Sequence, residues 1–195
     1  MRVTIAGFTA FCALVLGLAP GIVTVSGALA QGPETELVIS GVSVTCKDFR
    51  GAAVRTTRMD DLGDVARAWI VSRMPIITID TVRMAKLPEK VQLFFYFHEC
   101  GHHVLAHIYV PTTSSENEAD CWAVKKGRKE GVFTREDVAG FAPVFAHSRG
   151  SKQGHLPGPE RVAHLLACFD NPSETIEEPE AAQGITMPRS VAGGG

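Results

Sequence analysis

Two histidines four residues apart, His98 and His102, are the residues of this sequence best suited to chemistry. On a helix, residues four apart lie about 40° from each other, so both imidazoles can reach one side of a single metal ion. Glu99 lies about 100° round the same helix, where its carboxylate can reach a water on the metal rather than the metal itself. The spacing therefore predicts a site for one Zn²⁺ ion that hydrolyses a substrate, with Glu99 as the general base.

A catalytic zinc takes three protein ligands and keeps one position open, so a third ligand must come from another segment. Glu116, at the predicted start of the next helix, is the best candidate. Asp120 lies one turn further along the same face, where it can accept the free ring N–H of a ligand histidine. Glu118 points about 200° away from Glu116 and is predicted to form a capping box with Ser115. The alternative is a solvated acidic first turn.

These residues resemble a known set of motifs. His98-Glu-Cys-Gly-His102 followed by Glu116-Asn-Glu-Ala-Asp120 is similar to the HExxH and ExxAD motifs of the gluzincin zinc metallopeptidases, in particular the M48 family. The segment His155-Leu-Pro-Gly-Pro-Glu-Arg161 is similar to a His-Pro turn and Arg-bearing helix of that family, although Leu156 separates the His from the Pro. The similarity covers residues 87–166 approximately and is most specific in the first two motifs.

The resemblance implies a mainly α (α+β) fold, with a zincin-like helical core and a small β-sheet or hairpin beside the active-site cleft. It implies that an extended peptide pairs with the segment that contains Ile77, Thr78 and Ile79. It also implies that His155 approaches the zinc, where it either steadies an oxyanion or fills the open coordination position. A surface histidine before a helix is the alternative. Arg161 either contacts substrate or pairs with an acidic side chain.

Residues 1–30 have the composition of a signal peptide. Arg2 precedes an apolar stretch over residues 3–25, and Ala28-Leu-Ala30 supplies the small-x-small pattern of a cleavage site. We therefore expect cleavage after Ala30, a periplasmic or secreted protein, and no stable membrane insertion of the mature chain. The alternative is an uncleaved N-terminal membrane anchor, because the apolar stretch is long enough to span a bilayer.

The mature chain contains four cysteines: Cys46, Cys100, Cys121 and Cys168. An even number in an exported protein predicts two disulfides, and sequence leaves three pairings open. Cys100 and Cys121 both point away from the predicted metal on their helices. A disulfide between Cys100 and Cys121 is therefore less favoured than disulfides from these two residues to Cys46 and Cys168.

The segment before the metal motif predicts short elements. Leu37–Thr45 has the β-branched content of a strand or hairpin, and 76–79 reads as a second strand between Pro75 and Asp80. Apolar spacing over Asp60–Val71 favours a short amphipathic helix. A long helix is predicted to open near Pro88, to run through Leu105 and to end at Pro111.

The segment after the motif is predicted to be helical. One helix is expected from Ser115 toward Gly127, a second after a cap at Thr134–Asp137, and a third from Gly158 through Phe169. The Pro-, Glu- and Gly-rich residues 171–195 are predicted to form a disordered tail, which leaves a single domain over residues 31–170. His103 and His107 are interpreted as partly exposed polar positions rather than a second metal site.

Overall composition narrows the function. The chain has 195 residues, a net charge of -2 and no sustained run of Lys or Arg, which argues against a nucleic-acid partner. The sequence therefore predicts an exported zinc metallopeptidase with a peptide or protein substrate, and it leaves the oligomeric state open. Two alternatives are a zinc-binding, non-catalytic interaction or chaperone-like protein, and a disulfide-stapled structural protein in which the motif is incidental.

Overall fold

The computed structural model describes residues 37–171 of the chain. The predicted signal peptide and, apart from Asn171, the predicted tail lie outside this range. Within it, the strands of two small sheets precede all the helices, so the fold is of the mixed α+β class. None of the helices in this range is long and apolar enough to span a bilayer.

A hairpin opens the described chain and confirms the expectation for Leu37–Thr45. Strand β1 (Leu37–Ile39) pairs antiparallel with β2 (Val42–Val44). The two residues between them, Ser40 and Gly41, have φ angles of 49° and 77°. Positive φ at both central residues is the geometry of a type I′ turn, whose twist matches that of the flanking strands.

The second sheet contains three strands in the order β3-β5-β4. Strand β3 (Arg55–Met59) runs parallel to β5 (Met74–Asp80), and β4 (Ala66–Val71) runs antiparallel to it. The predicted strand over 76–79 is therefore confirmed, and it is the buried centre of the sheet.

The helix predicted over Asp60–Val71 is wrong. Its second half is strand β4, which joins β5 through a tight turn at Ser72 and Arg73, both with positive φ. Ala66 pairs with Ile79, and five further residues follow in register. The apolar residues of such a short segment fit the period of a helix and that of a strand equally well. Pairing with β5 favours the strand.

Helix α2 (Glu89–Val104) carries the metal motif and begins directly after Pro88, as predicted. A short helix α1 (Thr81–Met84) precedes it and is capped by Asp80, whose carboxylate accepts a hydrogen bond from the Arg83 N–H at 2.8 Å. Helix α2 ends at Val104, well before the expected end at Pro111, because the chain turns at Ala106, which has a φ of 60°.

Helix α3 (Ser115–Lys129) follows, but the predicted capping box at its start is wrong. Ser114 is the N-cap residue, and Ser115 lies inside the helix. The Ser115 hydroxyl accepts a hydrogen bond from the Thr112 N–H at 2.8 Å, whereas the Glu118 carboxylate lies against His107. The reason is that His107 is buried, and a buried imidazole is stabilised by a hydrogen-bond partner, which the Glu118 carboxylate provides.

Three further helices complete the fold: α4 (Arg135–Ala139), α5 (Ala142–Phe145) and α6 (Gly158–Asp170). The predicted cap at Thr134–Asp137 is confirmed as a capping box, and α6 begins with Pro159 in its first turn, as expected. Helix α2 packs against the sheet and against α3, and α3 packs against α6. The core thus holds the helices that carry the motifs against one another.

Candidate metal centre

His98 and His102 lie on the same face of α2 and turn their rings toward one point. Their Nε2 atoms are 3.1 Å apart, and both side chains are largely buried. The regular helix accounts for this placement, because residues one turn apart project side by side. The structure therefore brings the two predicted histidines together.

Glu116, at the first turn of α3, completes a triangle with the two histidines. Its Oε2 atom lies 3.1 Å from His98 Nε2 and 3.4 Å from His102 Nε2. In a tetrahedral zinc site with bonds of about 2.0–2.1 Å, the ligand atoms are separated by roughly 3.3–3.4 Å. The three predicted ligands therefore fit a metal ion of this size without rearrangement of the backbone.

The close approach of α2 and α3 depends on Gly101, within the motif. A Cβ atom at this position would lie 3.3 Å from the backbone of Ala119 and from the Trp122 ring. Because contacts this short are tighter than ordinary packing, a side chain here would push the helices apart. A small residue at position 101 thus helps to place Glu116 beside the histidines.

The Glu116 carboxylate is held in its anionic form. Burial by itself would raise its pKa, but contacts with His102, His155 and His98 outweigh burial and lower the pKa well below its usual range. A metal ligand must be deprotonated, so this environment favours binding.

His155 also lies at this centre, as the resemblance implied. Its Nε2 atom is 2.8 Å from Glu116 Oε2, and its ring stacks on that of His98 with the centroids 5.6 Å apart. Ser151 contacts the other ring nitrogen, with 2.9 Å between Oγ and Nδ1. His98, Glu116 and His155 form a second set of three donors that could hold a metal ion. His155 is thus a fourth potential ligand, held by the loop before α6.

Asp120 lies beside His98, on the side of the ring opposite the other candidate ligands. Its Oδ1 atom lies 2.8 Å from His98 Nδ1. The two atoms form an ion-pair contact that does not meet hydrogen-bond geometry, so the predicted hydrogen bond from the ring N–H is not formed. Burial opposes a charged imidazole, but Asp120 and Glu116 outweigh it and raise the pKa of His98 to about 9. Asp120 orients the ring so that Nε2 faces the other ligands.

Arg161 pairs with Asp120 and also belongs to the lining of the cleft. Its Nε and Nη2 atoms donate hydrogen bonds of 2.7 and 2.6 Å to the two carboxylate oxygens, and both residues are buried. Burial raises the pKa of Asp120, but contacts with His98 and Arg161 outweigh that effect and lower the pKa to about 2. Of the two roles expected for Arg161, the acidic pairing is confirmed, and a contact with substrate stays a prediction.

Arg161→Met is expected to lower the free energy of unfolding by about 3–5 kcal/mol, because it leaves the buried Asp120 without its cationic partner. Arg135→Met is the matched control, since Arg135 also pairs with a carboxylate, that of Asp170, but both side chains are about half exposed. Loss of that surface pair should cost no more than about 1 kcal/mol. Denaturant unfolding measures both changes, and equal losses would contradict the role of the buried pair.

A supporting pair that sequence reasoning missed lies behind His102. The Nδ1 atoms of His102 and His107 are 3.2 Å apart, and His107 Nε2 lies 3.0 Å from Glu118 Oε2. The interpretation of His103 and His107 as partly exposed is wrong: both are buried, and the His103 ring donates a hydrogen bond of 3.0 Å to the Ile76 carbonyl. No helical spacing could have indicated His107, because it follows the turn after α2.

Glu99 faces the same cleft but remains outside the group of ligand atoms. Its Oε2 atom accepts a hydrogen bond of 2.6 Å from the Ala68 N–H of β4, and its side chain is largely buried. The cleft is lined by Glu99, His98 and His102 on one side and by residues 64–68 on the other. A carboxylate beside a metal position, held by a backbone N–H, is suitably placed to exchange protons with a water there.

The prediction that a peptide pairs beside Ile77, Thr78 and Ile79 is wrong. These residues lie in β5, whose two edges are already hydrogen-bonded to β3 and β4. The strand that borders the cleft is β4, which has a neighbour on one side only. The prediction failed because β4 was not expected. Without β4, strand β5 would be an edge strand with room for a peptide beside it.

Two disulfides, Cys46–Cys100 and Cys121–Cys168, are present in the described part of the chain. Their Cα atoms are 5.8 and 5.2 Å apart, within the usual range for this bond. The expectation that Cys100 and Cys121 bond outward rather than to each other is confirmed. Each disulfide ties one motif-bearing helix to another part of the fold.

Comparisons of the chain with protein-family models, with curated proteins and with solved structures find no match. Evidence for function therefore comes from the residues of the site and their geometry.

Proposed function

We propose that this protein is an exported zinc metallopeptidase that resembles the gluzincins of the M48 type and has a zincin-like core. The observation that carries the proposal is the convergence of His98, His102 and Glu116 from two helices, with Glu99 beside them. Two disulfides support an oxidising location, either periplasmic or secreted.

The donor chemistry favours zinc as the cofactor. Two imidazoles and one carboxylate form a ligand set typical of catalytic zinc, and the contacts of Asp120 with His98 and of His107 with His102 would fix the ring orientations. When bound, zinc would polarise the scissile carbonyl and make an adjacent water acidic enough to react near neutral pH.

Glu99 would act as the general base in this reaction. The Ala68 N–H holds Oε2, which orients the carboxylate, and the other oxygen can take the proton from the attacking water. The same carboxyl group would then deliver that proton to the leaving amine. No covalent intermediate with the protein is required.

The substrate would be an extended peptide that pairs with β4. The Ala68 N–H points away from β5 and toward the cleft, so the outer edge of this strand faces the metal centre. Backbone groups of an edge strand can hydrogen-bond to a peptide of any sequence. Pairing of this kind would bring a peptide bond next to Glu99.

His155 supports a second candidate function. As a fourth donor it could close the coordination sphere, and closed four-ligand sites are typical of structural zinc. The protein would then bind zinc as a non-catalytic interaction or chaperone-like module. In the catalytic alternative, His155 would steady the oxyanion of the tetrahedral intermediate.

Metal analysis combined with a peptide-library assay separates these functions. The peptidase proposal expects one zinc per chain at the three-ligand centre in the oxidised protein, cleavage of peptides, loss of cleavage on treatment with a chelator, and recovery when zinc is restored. Zinc without turnover on any peptide would favour the non-catalytic module. Purified mature protein that neither contains nor takes up zinc would show that the motif is incidental.

A further inference from the structure

The second disulfide lies beside a histidine. Cys121 projects from α3, and His164 and Cys168 project from α6, one turn apart. His164 Nε2 lies 3.5 Å from Cys121 Sγ and 3.6 Å from Cys168 Sγ. In a tetrahedral zinc site with Zn–S bonds of about 2.3 Å and Zn–N bonds of about 2.0–2.1 Å, nitrogen and sulfur ligands are about 3.6 Å apart. The imidazole is therefore already at ligand distance from both sulfurs.

The first disulfide lacks this arrangement. Both of its cysteines are buried, and the nearest polar contact of Cys46 Sγ is the Lys47 carbonyl at 3.8 Å. Among residues 37–171, the potential metal-binding groups include Cys121 and Cys168 but not Cys46 and Cys100. The histidine is thus a specific feature of the α3–α6 pair.

We propose that Cys121, His164 and Cys168 form a second metal site that becomes available when the Cys121–Cys168 disulfide is reduced. A sulfur atom in a disulfide cannot serve as a thiolate ligand, so the bond and the metal exclude each other. A dithiol reductant would supply two electrons and two protons, giving two thiols and its own cyclic disulfide. Zn²⁺ would then displace the two thiol protons into solvent as both sulfurs bind.

The surroundings of the site suit this exchange. Cys121 and His164 are partly exposed, so a reductant and a metal ion can reach them, whereas Cys168 is buried. Nε2 of His164 now lies 3.0 Å from the main-chain carbonyl of Asn117 and would leave that contact to bind the metal. The side-chain Oδ1 of Asn117 is buried without a hydrogen-bond partner among the described residues, and it lies one turn before Cys121. This oxygen could serve as the fourth ligand of the metal. A water molecule could fill the same position instead.

Cobalt titration of the full, metal-free chain tests the proposal, because thiolates bound to Co²⁺ give a charge-transfer band that nitrogen and oxygen ligands do not give. We expect no such band from the oxidised protein and a strong one after reduction with a phosphine, which supplies two electrons and takes an oxygen atom from water. The proposed peptidase centre is not required: His98→Ala/His102→Ala should retain the band. Failure of one site is thereby distinguished from failure of the other.

Two sets of variants identify the ligands. Cys121→Ser/Cys168→Ser should lose the band, whereas a band at full strength would assign it to Cys46 and Cys100 and overturn the proposal. His164→Ala keeps all four cysteines and should weaken cobalt binding by more than about tenfold. His147→Ala is the matched control, since His147 is exposed, and it should leave binding unchanged. If the serine variant does not fold, the comparison of His164→Ala with His147→Ala decides, and equal affinities would reject the site.

Discussion

Glu99→Gln is expected to reduce peptide hydrolysis by about 100- to 10,000-fold, the usual contribution of a general base. Glutamine has nearly the same shape, and its amide oxygen can still accept the hydrogen bond from the Ala68 N–H. It cannot take a proton from water, however. Zinc content should be unchanged, because Glu99 lies outside the triangle of ligand atoms.

Glu89→Gln is the matched control for this experiment. Glu89 lies in the first turn of the same helix, and its side chain is exposed. The rate of this variant should equal that of the unmodified protein. Peptide cleavage and zinc content are measured for all three proteins. Equal activity of Glu99→Gln would remove Glu99 from the role of general base, and loss of zinc in that variant would mean that Glu99 helps to hold the metal.

Glu116→Gln is expected to weaken zinc binding by more than about 100-fold, since changes to groups behind the ligands alone cost 10- to 100-fold. The Glu116 carboxylate lies within 3.4 Å of three imidazoles, more than any other candidate ligand here. Its negative charge also offsets part of the charge of the ion. Competition with a chelator of known affinity measures the change.

Glu136→Gln controls for the loss of a negative charge, because Glu136 is exposed on α4. Zinc affinity should be unchanged in this variant. An unchanged affinity in Glu116→Gln would place the third ligand elsewhere, and His155 would then be the first residue to test, since it shares a donor group with His98. Circular dichroism of each variant ensures that a loss of binding is not a loss of fold.

The candidate ligand set was accessible from sequence because its geometry is mainly local. His98 and His102 are one helical turn apart, and a regular helix fixes their relation before any packing occurs. Glu116 and Asp120 have the same relation on α3. Only one tertiary assumption was needed, namely that the two helices meet face to face.

Three features were beyond local reasoning. Strand β4 depends on its pairing with β5. Without β4, the edge of the cleft could not be predicted. The contact between His107 and His102 depends on the turn at Ala106. The partner of Arg161 depends on how α6 packs against α3.

The sequence by itself determined which residues could bind a metal and act as a base, because residue type and helical spacing decide both. Tertiary structure alone decided what surrounds them: the edge strand at the cleft, the partners behind each histidine, and the pairing of the cysteines. These features join residues far apart in the chain. The choice among distant partners depends on burial and packing of the whole fold, which no local pattern encodes.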